Sequence, residues 1–307
     1  MRRCGQILLG TLMFVLLVGN TLLWAVAVYA AIGLKLLVPA GRWRDRASRL
    51  AAYFAQRWAL INVWVGDRLL PTRWELRVAA QLRPDGQYLV VANHQSWNDI
   101  HALIKTFGSR APFFKFFLKK ELIWVPVLGP VWWGLDYPFM QRHSREQIQR
   151  NPALRGQDLE TTRRACEKYA RLPVAILNFV EGTRFTPEKR ARQGSPYRHL
   201  LKPKAGGLAF TLSAMGERLS HLLDVTIVYP EGAKSLWAFL AGRVRRVIVE
   251  VRGLTIPGEF FHGDYESDPA FRRRFHQWLS DLWAAKDARI DALLARSESE
   301  SDMARAA

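Results

Sequence analysis

The stretch "QYLVVANHQSWNDIHALIKTF", residues 87–107, decides how the rest of the chain is read. Its opening, QYLVVAN (87–93), is a short apolar run of the kind buried on both faces of a sheet. The continuation SWNDIHALIKTF (96–107) has the apolar spacing of a helix. A strand that feeds a helix is half of a βαβ unit, and the alternation continues downstream. APFFKFFLK (111–119) reads as a strand, RGQDLETTRRACEKYAR (155–171) as a polar helix and PVAILNFV (173–180) as a strongly apolar strand. KAGGLAFTLSAMG (204–216) is helical, and LDVTIVYP (223–230) and RRVIVEVRG (245–253) are strands. PAFRRRFHQWLSDLWAAKDARIDALLA (269–295) closes the series as an amphipathic helix. The order predicts an α/β fold, a mostly parallel sheet flanked by helices. There is no internal repeat.

Toward the N-terminus the pattern changes. Gln6 to Leu34 contains no charge over 29 residues. As a helix that is about 43 Å, more than the roughly 30 Å of a bilayer core. Arg2 and Arg3 precede it and "VYA" resembles a cleavage site, so a signal peptide competes with an anchor. The apolar run far exceeds the roughly 7–15 residues of a signal, which favours the anchor. Lys35, Arg42, Arg44, Arg46 and Arg49 outnumber the two leading arginines. By the positive-inside rule everything after them lies in the cytoplasm, on the inner membrane of a bacterium. LAAYFAQRWALINVWVGDRLL (50–70) reads either as an interfacial amphipathic helix or as a helix facing the core. The expected division is an anchor at 1–40, an interfacial helix at 41–70, one soluble domain at 71–295 and a disordered tail at 296–307.

The chain carries 45 Lys and Arg against 27 Asp and Glu, a net charge of +18. Such an excess calls for an anionic partner. Beside a lipid anchor, membrane phospholipid and phosphate explain it better than nucleic acid. Cys4 and Cys166 provide neither a disulfide framework nor a zinc spacing, and no metal-ligand cluster appears. LIWVPVLGPVWWGLDYPFM (122–140) is apolar, but Pro126, Pro130, Pro138 and Asp136 rule out a regular span. It reads as an irregular aromatic segment that lines an apolar slot or dips into the interface.

In open α/β sheets, ligands bind beyond the carboxyl ends of the strands. Three polar clusters fall there: His94 after the first strand, Glu181-Gly182-Thr183-Arg184 after PVAILNFV, and Tyr229-Pro230 after LDVTIV. Ser96 and Asp99 fit a helix capping box, the bland reading of that loop. His94 has no part in a cap, and beside Asp99 its imidazole becomes an oriented general base. In EGTR, Gly182 allows a tight turn and Arg184 offers a two-pronged contact to phosphate. The bland reading is a solvated loop with an ordinary ion pair. Lys119, Lys120, Arg142, Arg145, Lys189, Arg190 and Arg192 add surface charge.

NHQSWND resembles the His-x4-Asp motif of the glycerolipid acyltransferases, the PlsC-like 1-acyl-glycerol-3-phosphate acyltransferase family. KKELIWVPVLG is similar to their second motif, with Lys119, Lys120, Pro126 and Gly129. NFVEGTRF is similar to the third and VTIVYP, ending in Pro230, to the fourth. Val180 stands where that family commonly has proline. The likeness spans about residues 85–235 and is strongest to the branch that includes bacterial YihG-type proteins. It implies transfer of a fatty acyl group from acyl-CoA or acyl carrier protein to the hydroxyl of a lysophospholipid, with 1-acyl-glycerol-3-phosphate as acceptor. His94 would deprotonate that hydroxyl and Asp99 would orient it. Arg184, with Lys119 or Lys120, would bind the acceptor phosphate, and Glu181 would orient the glycerol or the arginine. No cofactor is implied beyond the thioester co-substrate. Other lysophospholipid acceptors, a hydrolase using the same pair, and a non-enzymatic basic membrane-binding module are the rival readings.

Overall fold

A computed structural model describes residues 2–140, 157–169, 172–219 and 221–306. Arg142, Arg145 and both ends of the expected 155–171 helix lie outside them. The strands are β1 (Arg73–Val78), β2 (Gln87–Ala92), β3 (Phe114–Phe116), β4 (Leu118–Lys119), β5 (Phe139–Met140), β6 (Val174–Asn178), β7 (His221–Val228) and β8 (Arg246–Leu254). The helices among the described residues are α1 (Arg2–Leu37), α2 (Arg42–Leu69), α3 (Asn98–Phe107), α4 (Leu128–Gly134), α5 (Gln157–Tyr169), α6 (Pro187–Gln193), α7 (Ala205–Met215), α8 (Leu236–Leu240) and α9 (Pro269–Ala306).

Six strands form one sheet in the order β1-β8-β7-β2-β6-β3, and only β7 with β8 pairs antiparallel. The sheet is therefore mostly parallel, as the alternation of elements predicts. β1 was not legible as a strand. RWELRV mixes charged with apolar residues and lies half-buried at the sheet edge, where packing writes little into the sequence. The expected strand at 111–119 is split, because β4 leaves the sheet to pair with β5.

Burial follows the two-residue period of a strand. Leu89 and Val91 of β2 point to one face, packed with residues of α5, α7 and α9. Tyr88, Val90 and Ala92 point to the other, packed with α3, α8, Met13 of α1 and Leu70. The segment expected to be a disordered tail is the last part of α9. Composition gives no apolar signal there, yet Arg246 donates to the Ser297 carbonyl (3.2 Å) and hydroxyl (2.8 Å) and pairs with Glu300. One arginine fastens a polar helix end to the sheet.

α1 and α2 form a hairpin. Asn20 donates to the Trp58 carbonyl (3.0 Å) and to Asn62 (2.9 Å), and the Trp58 indole donates to Thr21 (3.0 Å). Ala47, Ala51, Ala55 and Ala59, then Val63 and Gly66, are the buried residues of α2, a stripe of small side chains that permits close helix approach. Its outer side exposes Trp43, Tyr53 and Trp64, each beneath an arginine: Arg46 at 4.7 Å, Arg57 at 4.9 Å and Arg68 at 5.4 Å. The core-facing reading of 50–70 holds for the buried stripe, and the interfacial reading concerns the exposed aromatic side.

α1 is long and apolar enough to cross a membrane, yet it lies along the domain. Gly10 abuts Trp237 and Ala241, the Tyr29 hydroxyl donates to the Val127 carbonyl (2.7 Å), and Lys35 donates to the Gly134 carbonyl (2.8 Å) and pairs with Asp136. The aromatic segment 122–140 folds around α4. Val131, Leu135 and Tyr137 pack with Val28, Ala31 and Ile32 of α1 and with Ala51 and Ala55 of α2 in a third core.

Candidate active site

β7, β2, β6 and β3 run the same way, so their carboxyl ends share one edge of the sheet. The loops after β2, β6 and β7 meet there. Asn93 ties the first two strands of this group: its amide donates to the Ile227 carbonyl (2.9 Å) and its oxygen accepts from the Ile227 amide (2.8 Å). With Asn93 clamped, the chain turns and His94 leaves the strand end.

His94 Nδ1 lies 2.8 Å from Asp99 Oδ2. The same oxygen accepts from the amides of Gln95 (2.6 Å) and Ser96 (2.9 Å), while Oδ1 accepts from the Tyr229 hydroxyl (2.6 Å). Asp99 is fully buried, and neutral donors satisfy its carboxylate from three sides. Half of the expected capping box is present: Asp99 reaches back to the Ser96 amide, while the Ser96 hydroxyl accepts from the Asn98 amide (3.2 Å) and not from that of Asp99. The bland and the chemical readings of this loop meet in one atom, because the Asp99 oxygen that accepts from the Ser96 amide also lies against His94 Nδ1. The imidazole stacks on Phe179, with ring centres 4.1 Å apart and an interplanar angle of 17°. Burial and Asp99 together hold the Tyr229 phenol well above its ordinary range.

Glu181 departs from expectation. Fully buried, it does not pair with Arg184. Oε1 accepts from the His94 amide (2.9 Å) and Oε2 from the Leu201 amide (2.8 Å), so each carboxylate oxygen is engaged by a backbone amide. It braces the loop that carries His94. Burial pushes its carboxyl up to about 7, against the two amides that favour the ion. Gly182 takes φ +69°, and a Cβ there would sit 3.2 Å from Lys204 Nζ. The left-handed backbone is what calls for glycine, since the flexible Lys204 tip could shift to admit a Cβ. Thr183 accepts from Lys189 Nζ (2.8 Å). The Arg184 guanidinium lies over the Trp97 ring at 5.1 Å and is solvent-exposed.

The second-motif residues are placed differently. Lys119 and Lys120 follow β3 by three and four residues and leave the sheet at the shared edge, both exposed. Gly129 has a packing reason of its own: a Cβ there would lie 2.0 Å from the Ile123 carbonyl oxygen. The Pro126 carbonyl accepts from the Leu128 amide (2.7 Å) in the same turn. Pro230 lines a cavity of about 600 Å³ beside the dyad. The sequence reading missed Lys204. It stands at the head of α7, and its amide donates to the Val180 carbonyl (2.7 Å), which brings its side chain against Gly182. A lysine followed closely by paired glycines, opening a helix after the EGTR loop, was the available signal. Among the described residues, no group of His, Cys, Asp and Glu is placed to hold a metal ion.

A family model described as Acyltransferase matches residues 73–230, slightly more than half of the chain. The chain belongs to the Acyltransferase family. The 2-acyl-1-lysophosphatidylinositol acyltransferase of Saccharomyces cerevisiae is 22% identical over 273 residues, 74% of this chain and 66% of that protein. The human 1-acyl-sn-glycerol-3-phosphate acyltransferase delta is 30% identical over 183 residues, 57% and 44% of the two chains. The chain thus spans less than two thirds of these relatives. The crystal structure of the 1-acyl-sn-glycerophosphate acyltransferase PlsC from Thermotoga maritima superposes with a TM-score of 0.51 at 16% identity, covering 92% of this chain and 98% of that one. The fold is shared, and the matched segment contains all three strand-end loops.

Proposed function

We propose that the protein is a membrane-associated O-acyltransferase that moves a fatty acyl group from a thioester to the free hydroxyl of a lysophospholipid, most simply 1-acyl-glycerol-3-phosphate. One observation carries this reading. A histidine is held by a fully buried aspartate at a strand end, with its second ring nitrogen left for a substrate. His94 Nε2 takes the proton of the acceptor hydroxyl as its oxygen attacks the thioester carbonyl. Asp99 keeps the Nδ1 proton in place and stabilises the imidazolium. The tetrahedral intermediate expels the thiolate, which receives the proton from His94, so ester and free thiol leave together. Arg184 and Lys204 flank Glu181 and Gly182 as the cations for the acceptor phosphate. No cofactor enters beyond the thioester donor.

The hairpin supports delivery from a bilayer. Between Gly10 and Lys35, about 38 Å of helix, α1 touches the domain repeatedly, while its other side exposes Leu8, Phe14, Val15, Leu23 and Val26. A helix flanked by the domain over that length lies embedded in one leaflet without crossing. The basic residues after Leu34 favour the cytoplasmic leaflet of a bacterial inner membrane. The yeast relative's name makes lysophosphatidylinositol-type acceptors the second reading. Purified protein, given a lysophospholipid panel with acyl-CoA and with acyl carrier protein, should release thiol and form the diacyl product. Release of free fatty acid instead would make it a hydrolase, and binding without turnover would leave only the binding module.

A further inference from the structure

The Asp99 carboxylate divides its two oxygens between two tasks. Oδ2 faces His94 Nδ1 and accepts from the amides of Gln95 and Ser96, all in its own loop. Oδ1 accepts from a distant part of the chain, the Tyr229 hydroxyl at 2.6 Å. We propose that Tyr229 is a positioning residue for the transfer: its hydroxyl fixes the Asp99 carboxylate in the orientation that presents Oδ2 to His94. The proposal rests on the transferase reading and adds to it a residue that acts through Asp99 without touching substrate.

The fold fixes the place of this hydroxyl. Leu223, Val225 and Ile227 of β7 enter one core by the two-residue period of a strand, and Tyr229, just past the strand end, continues the row. Ala102, Leu103 and Phe107 of α3 share that core, so the phenol ring is buried with the helix whose first turn carries Asp99. The backbone on either side of the tyrosine is stapled to the dyad loop. Before it, the Ile227 peptide is clamped by Asn93, and its carbonyl also accepts from Gln95 Nε2 (3.2 Å). After it, the Lys234 carbonyl accepts from Ser96 Oγ (2.6 Å) and from Asn98 Nδ2 (3.1 Å).

An ionised carboxylate oxygen left without a donor in the interior is costly. Without the hydroxyl, Asp99 would relieve that cost by turning Oδ1 toward other donors or by taking a proton. Either change loosens its hold on His94 Nδ1. A phenol suits the task. Burial and Asp99 keep it protonated, so it donates, and being neutral it orients the carboxylate without cancelling the charge that the imidazolium needs.

The test follows thiol release from acyl-CoA by the full-length protein in vesicles, with 1-acyl-glycerol-3-phosphate as acceptor. The variants are Tyr229→Phe, Asp99→Asn and the two combined. Phenylalanine keeps the ring in the core and removes only the hydroxyl. Tyr229→Phe should lower kcat about 10- to 100-fold, the scale of one bond to a charged group, with both KM values within about twofold of wild type. In the Asp99→Asn background the same change should cost less than about twofold more, because its route to the chemistry is already lost. Leu223→Val, which loosens the same core without touching Asp99, should lower the thermal midpoint and keep kcat within about twofold of wild type. The proposal is overturned if Tyr229→Phe transfers within about twofold of wild type, if its loss falls on KM, or if the loss is equal in the two backgrounds. It is overturned as well if Leu223→Val slows transfer equally, or if Tyr229→Phe does not fold, which would make the bond a requirement of the core. A wild type that releases no thiol with any lysophospholipid would strike the transferase reading and this proposal with it, whereas every other outcome is read on an active wild type.

Discussion

The loop from Asn93 to Asp99 and the loop from Glu181 to Arg184 meet at one sheet edge and are built on opposite plans. In the first, the side chains of Asn93, His94, Gln95, Ser96, Asn98 and Asp99 are all hydrogen-bonded, several to elements more than a hundred residues away. In the second, the root and Thr183 are fixed, and the Arg184 side chain is not. Glu181 is buried between two amides, while Arg184 ends in solvent on an aromatic face. On the proposed mechanism, the difference separates chemistry from recognition. A general base must be held to a fraction of an ångström, whereas a phosphate-gripping arginine can close on its ligand.

That contrast predicts different kinetic losses. Asp99→Asn should lower kcat by at least about 100-fold, the scale of a positioned base, with KM for both substrates little changed. If it lowers only the thermal midpoint, the loop is a helix cap and nothing more. Arg184→Ala should act on KM for the lysophospholipid, by roughly 10- to 150-fold, from about 1.5–3 kcal/mol for a charge-assisted contact. Arg184→Lys should recover part of it, since an ammonium cannot reproduce the planar fork. A loss shared equally by donor and acceptor would remove the phosphate role from this residue.

The smallest effect is on stability. The Glu181 carboxyl is raised in the fold to about 7, so the folded protein keeps a proton that the unfolded chain gives up near 4.5. This contribution is complete below the unfolded value and is lost as pH rises through about 7, on the order of 3 kcal/mol at most. Thermal unfolding of wild type should therefore weaken between pH 5 and 8 relative to Glu181→Gln, whose side chain stays neutral. Parallel curves for the two proteins would mean that Glu181 titrates elsewhere.

How much of this was legible depends on sequence distance. His94 and Asp99 sit in one five-residue frame, and the strand before them is plainly apolar, so both pair and place could be read. The alternation of elements likewise carried the parallel sheet. The bracing role of Glu181 could not be read, because its partners, the amides at 94 and 201, are backbone groups that leave no mark in the side-chain pattern. Tyr229 could be placed at a strand end, but its bond to Asp99 spans 130 residues. Gly129 looked like part of a binding motif, and the close approach of the Ile123 carbonyl explains it by packing. β1 and the last turns of α9 are held by edge pairing and by Arg246, contacts that composition does not record.

The central claim is that His94 is the base. Purified His94→Ala, compared with wild type for thiol release from acyl-CoA in the presence of 1-acyl-glycerol-3-phosphate, tests it directly. Circular dichroism and vesicle binding would report whether the variant remains folded and attached. The account predicts a folded, membrane-bound protein with no transfer above the uncatalysed rate. A His94→Ala protein that transfers at close to the wild-type rate would contradict it.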